Sequence, residues 1–153
     1  MQPQNSLIKF LVDQGFTVFV ISWKNPDASM EEISFEDYLT LGPLAALDVI
    51  KEITGSPRVN AVGYCIGGTL LSMTLPYLAA KGDETINSAT FFVSLQDFAD
   101  QWFESAKQHK GSWWMDWLEW LKLRSGEQVA LPAMGSAAHW PITPAPGTYV
   151  LEK

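Results

Sequence analysis

The sequence predicts an α/β fold with about three parallel strands, followed by a tryptophan-rich helical segment and a proline-rich tail. Helix and strand patterns alternate across residues 5–95, as in a chain that forms a parallel sheet through helical crossovers. The strand segments are continuously apolar, which is typical of strands buried on both faces. We therefore expect an α/β core over residues 1–100 and a separate helical segment with an extended tail over residues 101–153.

Local signals place the elements of this core. Ser34 and Asp37 form a capping-box pattern that starts a helix, Gly55 ends it, and Gly42-Pro43 is expected to bend its first turns. In chain order, we predict a helix over 7–14, a strand over 17–23, a helix over 34–54, a strand over 58–62, a helix from 68 to about 81, and a strand over 89–95.

Five of the seven tryptophans lie between Trp102 and Trp120. We predict a helix from Trp102 to Leu123, with Gly111-Ser112 as the place where it could break. A tryptophan stripe of this kind is usually a face that packs in a core, and less often a surface that meets apolar material. The residues after Arg124 contain several prolines and no clear periodicity, which predicts an extended tail.

The run Gly63-Tyr64-Cys65-Ile66-Gly67-Gly68 joins a predicted strand to a predicted helix. A sharp strand-to-helix turn with glycines two before and two after a nucleophile resembles the nucleophile elbow of α/β-hydrolases. We expect glycines there because side chains would collide at the turn. Cys65 would be the nucleophile. The backbone N–H of Ile66 would donate to an oxyanion, and the helix dipole would favour a thiolate.

Two other interpretations compete with an elbow. A lone cysteine in an apolar segment is often an inert buried side chain. A membrane span is also conceivable, because no charged residue occurs between Arg58 and Lys81. Three glycines, Asn60 and Pro76 argue against a span, and we expect no transmembrane segment.

Composition excludes several classes of partner and chemistry. A net charge of −7 over 153 residues argues against nucleic acid or an anionic membrane as a partner. A single cysteine excludes an internal disulfide and suits a reducing cytoplasm. The first residues show no signal peptide pattern. We expect neither a cofactor nor a bound metal.

Several segments resemble the polyhydroxyalkanoate synthases, most closely their single-subunit, short-chain class, and they are spread along nearly all of the chain. The segments are 5–7 (NSL), 14–19 (QGFTVF), 22–30 (SWKNPDASM), 63–69 (GYCIGGT), 95–100 (LQDFAD), 111–117 (GSWWMDW), 124–126 (RSG) and 144–150 (PAPGTYV).

The resemblance implies a cytoplasmic acyltransferase that polymerises (R)-3-hydroxyacyl-CoA into polyester at granule surfaces, often as a dimer. In this family a cysteine accepts the acyl group from CoA. A histidine acts as general base, and an aspartate orients it or activates the incoming hydroxyl. Cys65 is the position that carries over from the family motif.

The sequence departs from the family pattern after Asp100, because the family's aspartate and histidine motifs have no match in the remaining 53 residues. We therefore expect an internally deleted or partial product with little polymerase activity. The only histidines, His109 and His139, are expected to be solvated surface residues. Asp97, Asp100 and Asp116 are equally unsupported as partners of the cysteine.

Asp27 follows a predicted strand and is a residue that could lie near the site. Its favoured role is structural, fixing its turn through an Asx-type hydrogen bond.

Three hypotheses remain open. The first is a synthase by descent, with Cys65 acylated but turnover impaired. The second is a non-catalytic interaction protein that binds a full-length synthase, a granule surface or a second copy through the tryptophan-rich segment. The third is a small thiol hydrolase that recruits His109 or His139.

Overall fold

The structure, a computed structural model, describes residues 6–94, 104 and 110–144, and the chain divides into two compact units. The first comprises residues 1–16 and 58–129, and the second residues 17–57 and 130–153.

The first unit contains helix α1 (Leu7–Asp13), strand β1 (Val59–Tyr64), helix α4 (Ile66–Ala80), strand β2 (Ile86–Phe92) and helix α5 (Trp113–Lys122). The second contains a 3₁₀ turn (Ala28–Met30), helix α2 (Phe35–Leu39), a π-helical turn (Thr40–Leu44) and helix α3 (Ala45–Thr54).

β1 and β2 form a parallel pair, as the sequence predicts, with Ala61 opposite Ala89 and Tyr64 opposite Phe92. β1 ends at Tyr64, after its predicted end at residue 62, and β2 begins at Ile86, before its predicted start at residue 89. Because side chains alternate along a strand, successive residues of β2 face opposite helices. Phe91 lies beside the first turn of α4, whereas the Thr90 hydroxyl accepts a hydrogen bond from the Trp117 indole of α5 (3.2 Å). The sheet is therefore covered by helices on both faces, as in α/β folds.

The tryptophan-rich helix packs in the core, as the commoner interpretation of its stripe predicts. Ser112 caps α5 by accepting from the Trp114 N–H. Trp117, Leu118 and Leu121 are buried, and Leu118 is only 1% exposed. The Trp117 and Phe92 rings meet edge to face at 5.3 Å. Residues 102, 103 and 105–109, the first part of the predicted helix, lie outside the described residues.

A polar cluster fastens the C-terminal end of α5 to the sheet. The Asn87 amide donates to the Arg124 carbonyl oxygen (2.9 Å), and the Ser88 hydroxyl donates to the Asn60 side-chain oxygen (2.6 Å). The Asn60 amide in turn contacts Arg124 and Ser125, at 3.4 Å in each case. This explains why a strand that is otherwise apolar carries an asparagine, since the last carbonyls of a helix need donors.

In the second unit the predicted helix over 34–54 forms with the predicted caps. Ser34 and Asp37 make both bonds of a capping box, and Gly55 ends the helix in the left-handed region at φ 67°. At Gly42-Pro43, where we expected a bend, the helix forms a π-helical turn. This turn accommodates a proline, which has no N–H to donate to the helix. Gly42 lies against the Trp23 ring, where a β-carbon would come within 2.8 Å of Cζ2.

The predicted strand over 17–23 is wrong: these residues are assigned neither to a strand nor to a helix. The sheet of the described residues has two strands and not about three. Apolar, β-branched and aromatic residues favour an extended backbone, but a strand also needs a hydrogen-bonding partner. Phe19, Val20 and Ile21 are exposed, Val20 by 63%.

None of the helices in the described part of the chain is long and apolar enough to cross a membrane.

Candidate active site

Cys65 occupies the turn between β1 and α4. Its backbone adopts φ 52° and ψ −122°, in a region that residues with a side chain rarely enter. Two backbone bonds hold it: the Cys65 N–H donates to the Phe92 carbonyl oxygen, and the Gly68 N–H donates to the Cys65 carbonyl oxygen, both at 2.9 Å. Cys65 is exposed, contrary to the interpretation of an inert buried cysteine. The turn thus has the strained backbone and accessible side chain expected of a nucleophile elbow.

The glycines around Cys65 do not all serve the turn. A β-carbon on Gly63 would lie 2.6 Å from the Gly68 Cα, and one on Gly68 would overlap the side chain of Ser94. A β-carbon on Gly67 would meet nothing within 4 Å. The expectation that the glycine two residues after Cys65 prevents a collision is therefore wrong. The close approach of strand and helix involves Gly63 and Gly68 instead.

Ile66 is the first residue of α4, so its N–H belongs to the first turn, whose donors have no intrahelical acceptor. No acidic residue lies in this turn, and no side chain caps it. A backbone donor beside the nucleophile at a helix N-terminus suits an oxyanion. The role of Ile66 as an oxyanion donor stays a prediction.

Asp27 has the structural role that its turn predicts. Its carboxylate accepts from the Ser29 N–H (2.8 Å) in an Asx-type turn and from the Lys24 ammonium (2.6 Å). The Lys24 ammonium, then the Ser29 hydroxyl and N–H, hold the pKa of Asp27 well below its usual range. A carboxylate so strongly held as the anion is a poor proton acceptor at neutral pH. Its placement near Cys65 remains an untested prediction.

His139 is held within the second unit. Its Nε2 lies 3.1 Å from a Glu52 carboxylate oxygen, and the His139 backbone N–H donates to the Ser136 hydroxyl (3.1 Å). Ser136 donates to the other Glu52 oxygen. The cluster connects the tail to α3. It differs from a catalytic triad because the serine hydroxyl donates to the carboxylate, whereas in a triad it donates to the histidine.

The other residues considered as partners of Cys65 gain no support from the structure. His109, Asp97 and Asp100 lie outside the described residues, and Asp116 lies in the first turn of α5. Within the described part of the chain, the Cys65 thiol forms no hydrogen bond to a histidine or a carboxylate. The described residues also contain no cluster of side chains that could hold a metal ion.

A groove of about 590 Å³ in the first unit is far from this chemistry. It lies at the start of the two strands, between Arg58, Leu78 and Ile86, whereas Cys65 follows the end of β1. An ion pair between Arg58 and Glu84 spans its exposed rim. We therefore assign the groove no part in the chemistry of Cys65.

Sequence reasoning missed Ser94, which follows β2 and contacts the elbow directly. Its place in the sequence, just after a predicted strand, could have indicated it. The carboxyl ends of adjacent parallel strands meet at one edge of a sheet, and functional residues gather there.

The fold and the elbow define a class, and comparison with known proteins agrees. A family described as alpha/beta hydrolase fold matches residues 2–129, so the chain belongs to that family.

Curated relatives are more specific, and they are poly(3-hydroxyalkanoate) polymerases. The subunit PhaC of Cupriavidus necator is 43% identical over 100 residues, covering 65% of this chain and 17% of the relative. The subunit PhaC of Rhizobium meliloti is 52% identical over 98 residues, covering 64% and 16%. Poly(3-hydroxyalkanoate) polymerase 2 of Ectopseudomonas oleovorans is 49% identical over 119 residues, covering 71% and 21%. The chain is therefore homologous to these polymerases and spans about a sixth to a fifth of their length.

Proposed function

We propose that this chain carries the acyl-accepting nucleophile of a polyhydroxyalkanoate synthase. The observation that supports this most directly is the strained, exposed Cys65 at the strand-to-helix turn. The names of the relatives suggest a 3-hydroxyacyl substrate, which the family resemblance specifies as an (R)-3-hydroxyacyl-CoA thioester.

In the proposed step the Cys65 sulfur attacks the thioester carbonyl carbon. The new bond joins the Cys65 Sγ to the acyl carbon, the bond from that carbon to the CoA sulfur breaks, and the thiol proton ends on the CoA thiolate. The Ile66 N–H stabilises the oxyanion that forms during the attack. Exchange of one thioester for another is close to energetically balanced, so the step needs a thiolate more than a strong driving force.

We propose that turnover beyond this step is impaired. Polymerisation requires the hydroxyl of a further substrate to attack the acyl-cysteine, and that hydroxyl must lose a proton to a base. The described residues bring no such base to Cys65. One equivalent of acylation without sustained polymer synthesis is therefore the proposed activity of the chain alone.

The test is release of free CoA from (R)-3-hydroxybutyryl-CoA by the purified chain, with Cys65→Ala as the matched variant. We expect up to one equivalent of CoA from the unmodified chain, an acyl mass adduct on the peptide containing Cys65, and neither from Cys65→Ala. Steady release that depends on Cys65 would contradict the impairment. Absence of any adduct would contradict the acyl-accepting role.

A non-catalytic interaction function is the second candidate, and a specific observation favours it. Large apolar side chains remain exposed around the elbow and on α5, among them Tyr64, Ile66, Val93 and Trp113. Exposed apolar surface of this kind often marks a docking surface. The proposed occupants are a second copy of the chain, a full-length synthase or a polyester granule in the cytoplasm. Sedimentation of the purified chain tests the first of these.

A further inference from the structure

Ser94 fills the space beside the elbow that a side chain on Gly68 would occupy. A β-carbon built on Gly68 would lie 2.7 Å from the Ser94 Cβ and closer still to its hydroxyl. On its other side, Gly68 is met by Gly63 of β1, whose own β-carbon would reach the Gly68 Cα at 2.6 Å. Gly63, Gly68 and Ser94 thus form one tightly packed contact between β1, α4 and the segment after β2.

The Ser94 hydroxyl also lies between two carbonyl oxygens, those of Cys65 and Phe92, at 3.4 Å from each. The hydroxyl has one proton to donate, which the two oxygens share, and both distances are long, so the interaction is weak. The Phe92 carbonyl is also the acceptor of the Cys65 N–H. Ser94 therefore touches the elbow residue and the group that holds it.

The backbone before Ser94 is itself strained. Val93 has φ 53°, and Cys65 and Val93 are the two residues other than glycine with positive φ in the described part of the chain. A β-branched residue rarely adopts this conformation, which is strained for it. Val93 is 73% exposed, so burial of its side chain does not offset that strain. The turn at Val93 directs the next residue, Ser94, against Gly68.

We propose that Ser94 is a positioning residue for the Cys65 nucleophile, acting mainly by packing against Gly68 and secondarily through its hydroxyl. By fixing the first turn of α4 relative to β1 and β2, it holds the Cys65 thiol and the Ile66 N–H at the spacing that attack on a carbonyl requires. This inference rests on the proposed function, since it assigns Ser94 a role in that same step. It predicts a dependence on size: a β-carbon is needed, and more than one further heavy atom is too many.

The test compares Ser94→Gly, Ser94→Ala and Ser94→Val in the full chain. Ser88, at the other end of β2, supplies the matched control because its hydroxyl bonds Asn60 and it lies away from the elbow. For each variant the rate of Cys65 acylation by (R)-3-hydroxybutyryl-CoA is divided by its rate of alkylation by iodoacetamide. Acylation needs the oxyanion donor in place and alkylation does not, so the ratio reports positioning and is insensitive to simple exposure of the thiol.

We expect Ser94→Gly and Ser94→Val to lower this ratio by about tenfold or more, since small displacements at a reacting centre can cost up to about a hundredfold. Ser94→Ala, which keeps the β-carbon, should remain within about threefold of the unmodified chain, as expected if the long, shared hydrogen bond of the hydroxyl contributes little. Ser88→Gly should leave the ratio unchanged even if it lowers stability. Ratios within about twofold of the unmodified chain for both Ser94→Gly and Ser94→Val would overturn the proposal.

Hydrogen exchange of the Cys65 amide gives a second readout that does not need acylation, and it covers the case in which Ser94→Val fails to fold. Ser94→Gly cannot overpack, and it should speed exchange of this amide by loosening its bond to Phe92, whereas Ser94→Ala should not. If the unmodified chain is never acylated, the proposed function fails. In that case, hydrogen exchange of the Cys65 amide alone tests the role of Ser94. Faster exchange in Ser94→Gly supports the positioning role, and unchanged exchange overturns it.

Discussion

At the scale of single residues, backbone sterics separate the three glycines of the elbow. Gly63 lies in β1 with the α4 backbone against it, whereas Gly67 lies in α4 with open space where a side chain would be. A glycine in a helix interior is less favourable than alanine by about 1 kcal/mol. Gly67 is the second residue of α4, so this cost is an upper limit there, and an added β-carbon would meet no obstacle.

We predict opposite effects of alanine at these two positions. Gly63→Ala should lower the free energy of unfolding by about 1–3 kcal/mol, because the added carbon would overlap backbone atoms that cannot rotate away. Gly67→Ala should be neutral or stabilising by up to about 1 kcal/mol. Urea unfolding followed by circular dichroism measures both. Equal losses in the two variants would show that the close approach at Gly63 is not what the turn depends on.

At the scale of elements, the start of α2 is held by a charged capping box. The Ser34 hydroxyl and N–H hold the pKa of Asp37 below its ordinary value of 3.8. A carboxyl whose pKa is lower in the folded state contributes stability above its unfolded pKa. That contribution is lost as the pH falls through the folded value.

We therefore predict that Asp37→Asn flattens the acid side of the stability profile of the second unit. The contribution of Asp37 is fully present at neutral pH and begins to be lost once the pH falls below about 4, so the variant should differ from the unmodified chain most at neutral pH. Unfolding by urea at about pH 6 and about pH 3 measures the change. Glu36→Gln, which removes a charge from the same first turn, is the matched control. An equal change in both variants would mean that the helix dipole, and not the capping box, is responsible.

At the scale of the whole molecule, each unit leaves apolar surface uncovered. The first exposes Tyr64, Val93 and Trp113, and the second exposes Val20 within residues 17–23. The described sheet has two strands, so no third described strand pairs with its outer edges. Uncovered strand edges and apolar patches both promote association between chains.

We predict that the purified chain associates at concentrations on the order of 10 µM, as measured by sedimentation velocity at several loading concentrations. Val20→Asp should weaken this association, because Val20 lies in a continuous run of exposed apolar residues. Ile142→Asp, a change at a still more exposed aliphatic residue that lies between a proline and a threonine, should not. A single monomeric species for the unmodified chain across that range would contradict the prediction.

Much of the local structure could be predicted from the sequence because the forces that set it act over a few residues. The capping box at Ser34 and the left-handed end at Gly55 follow from short patterns. The parallel direction of β1 and β2 follows from the helical crossover between them, whereas their register does not. The elbow at Cys65 follows in the same way, since a strand-to-helix turn around a nucleophile has a recognisable glycine pattern. The same run of residues, with its flanking segments, was enough to indicate the family.

Other features depended on contacts between distant parts of the chain, and only the tertiary structure decided them. Whether residues 17–23 form a strand depends on a partner for their hydrogen bonds, and that partner is not written in their own pattern. Which glycine is needed at the elbow depends on what approaches it: Gly63 and Gly68 meet backbone and Ser94, and Gly67 meets open space. Propensity is a property of one segment, so the sequence of that segment determines it. Strand pairing and close packing involve two segments, so only the tertiary structure decides them.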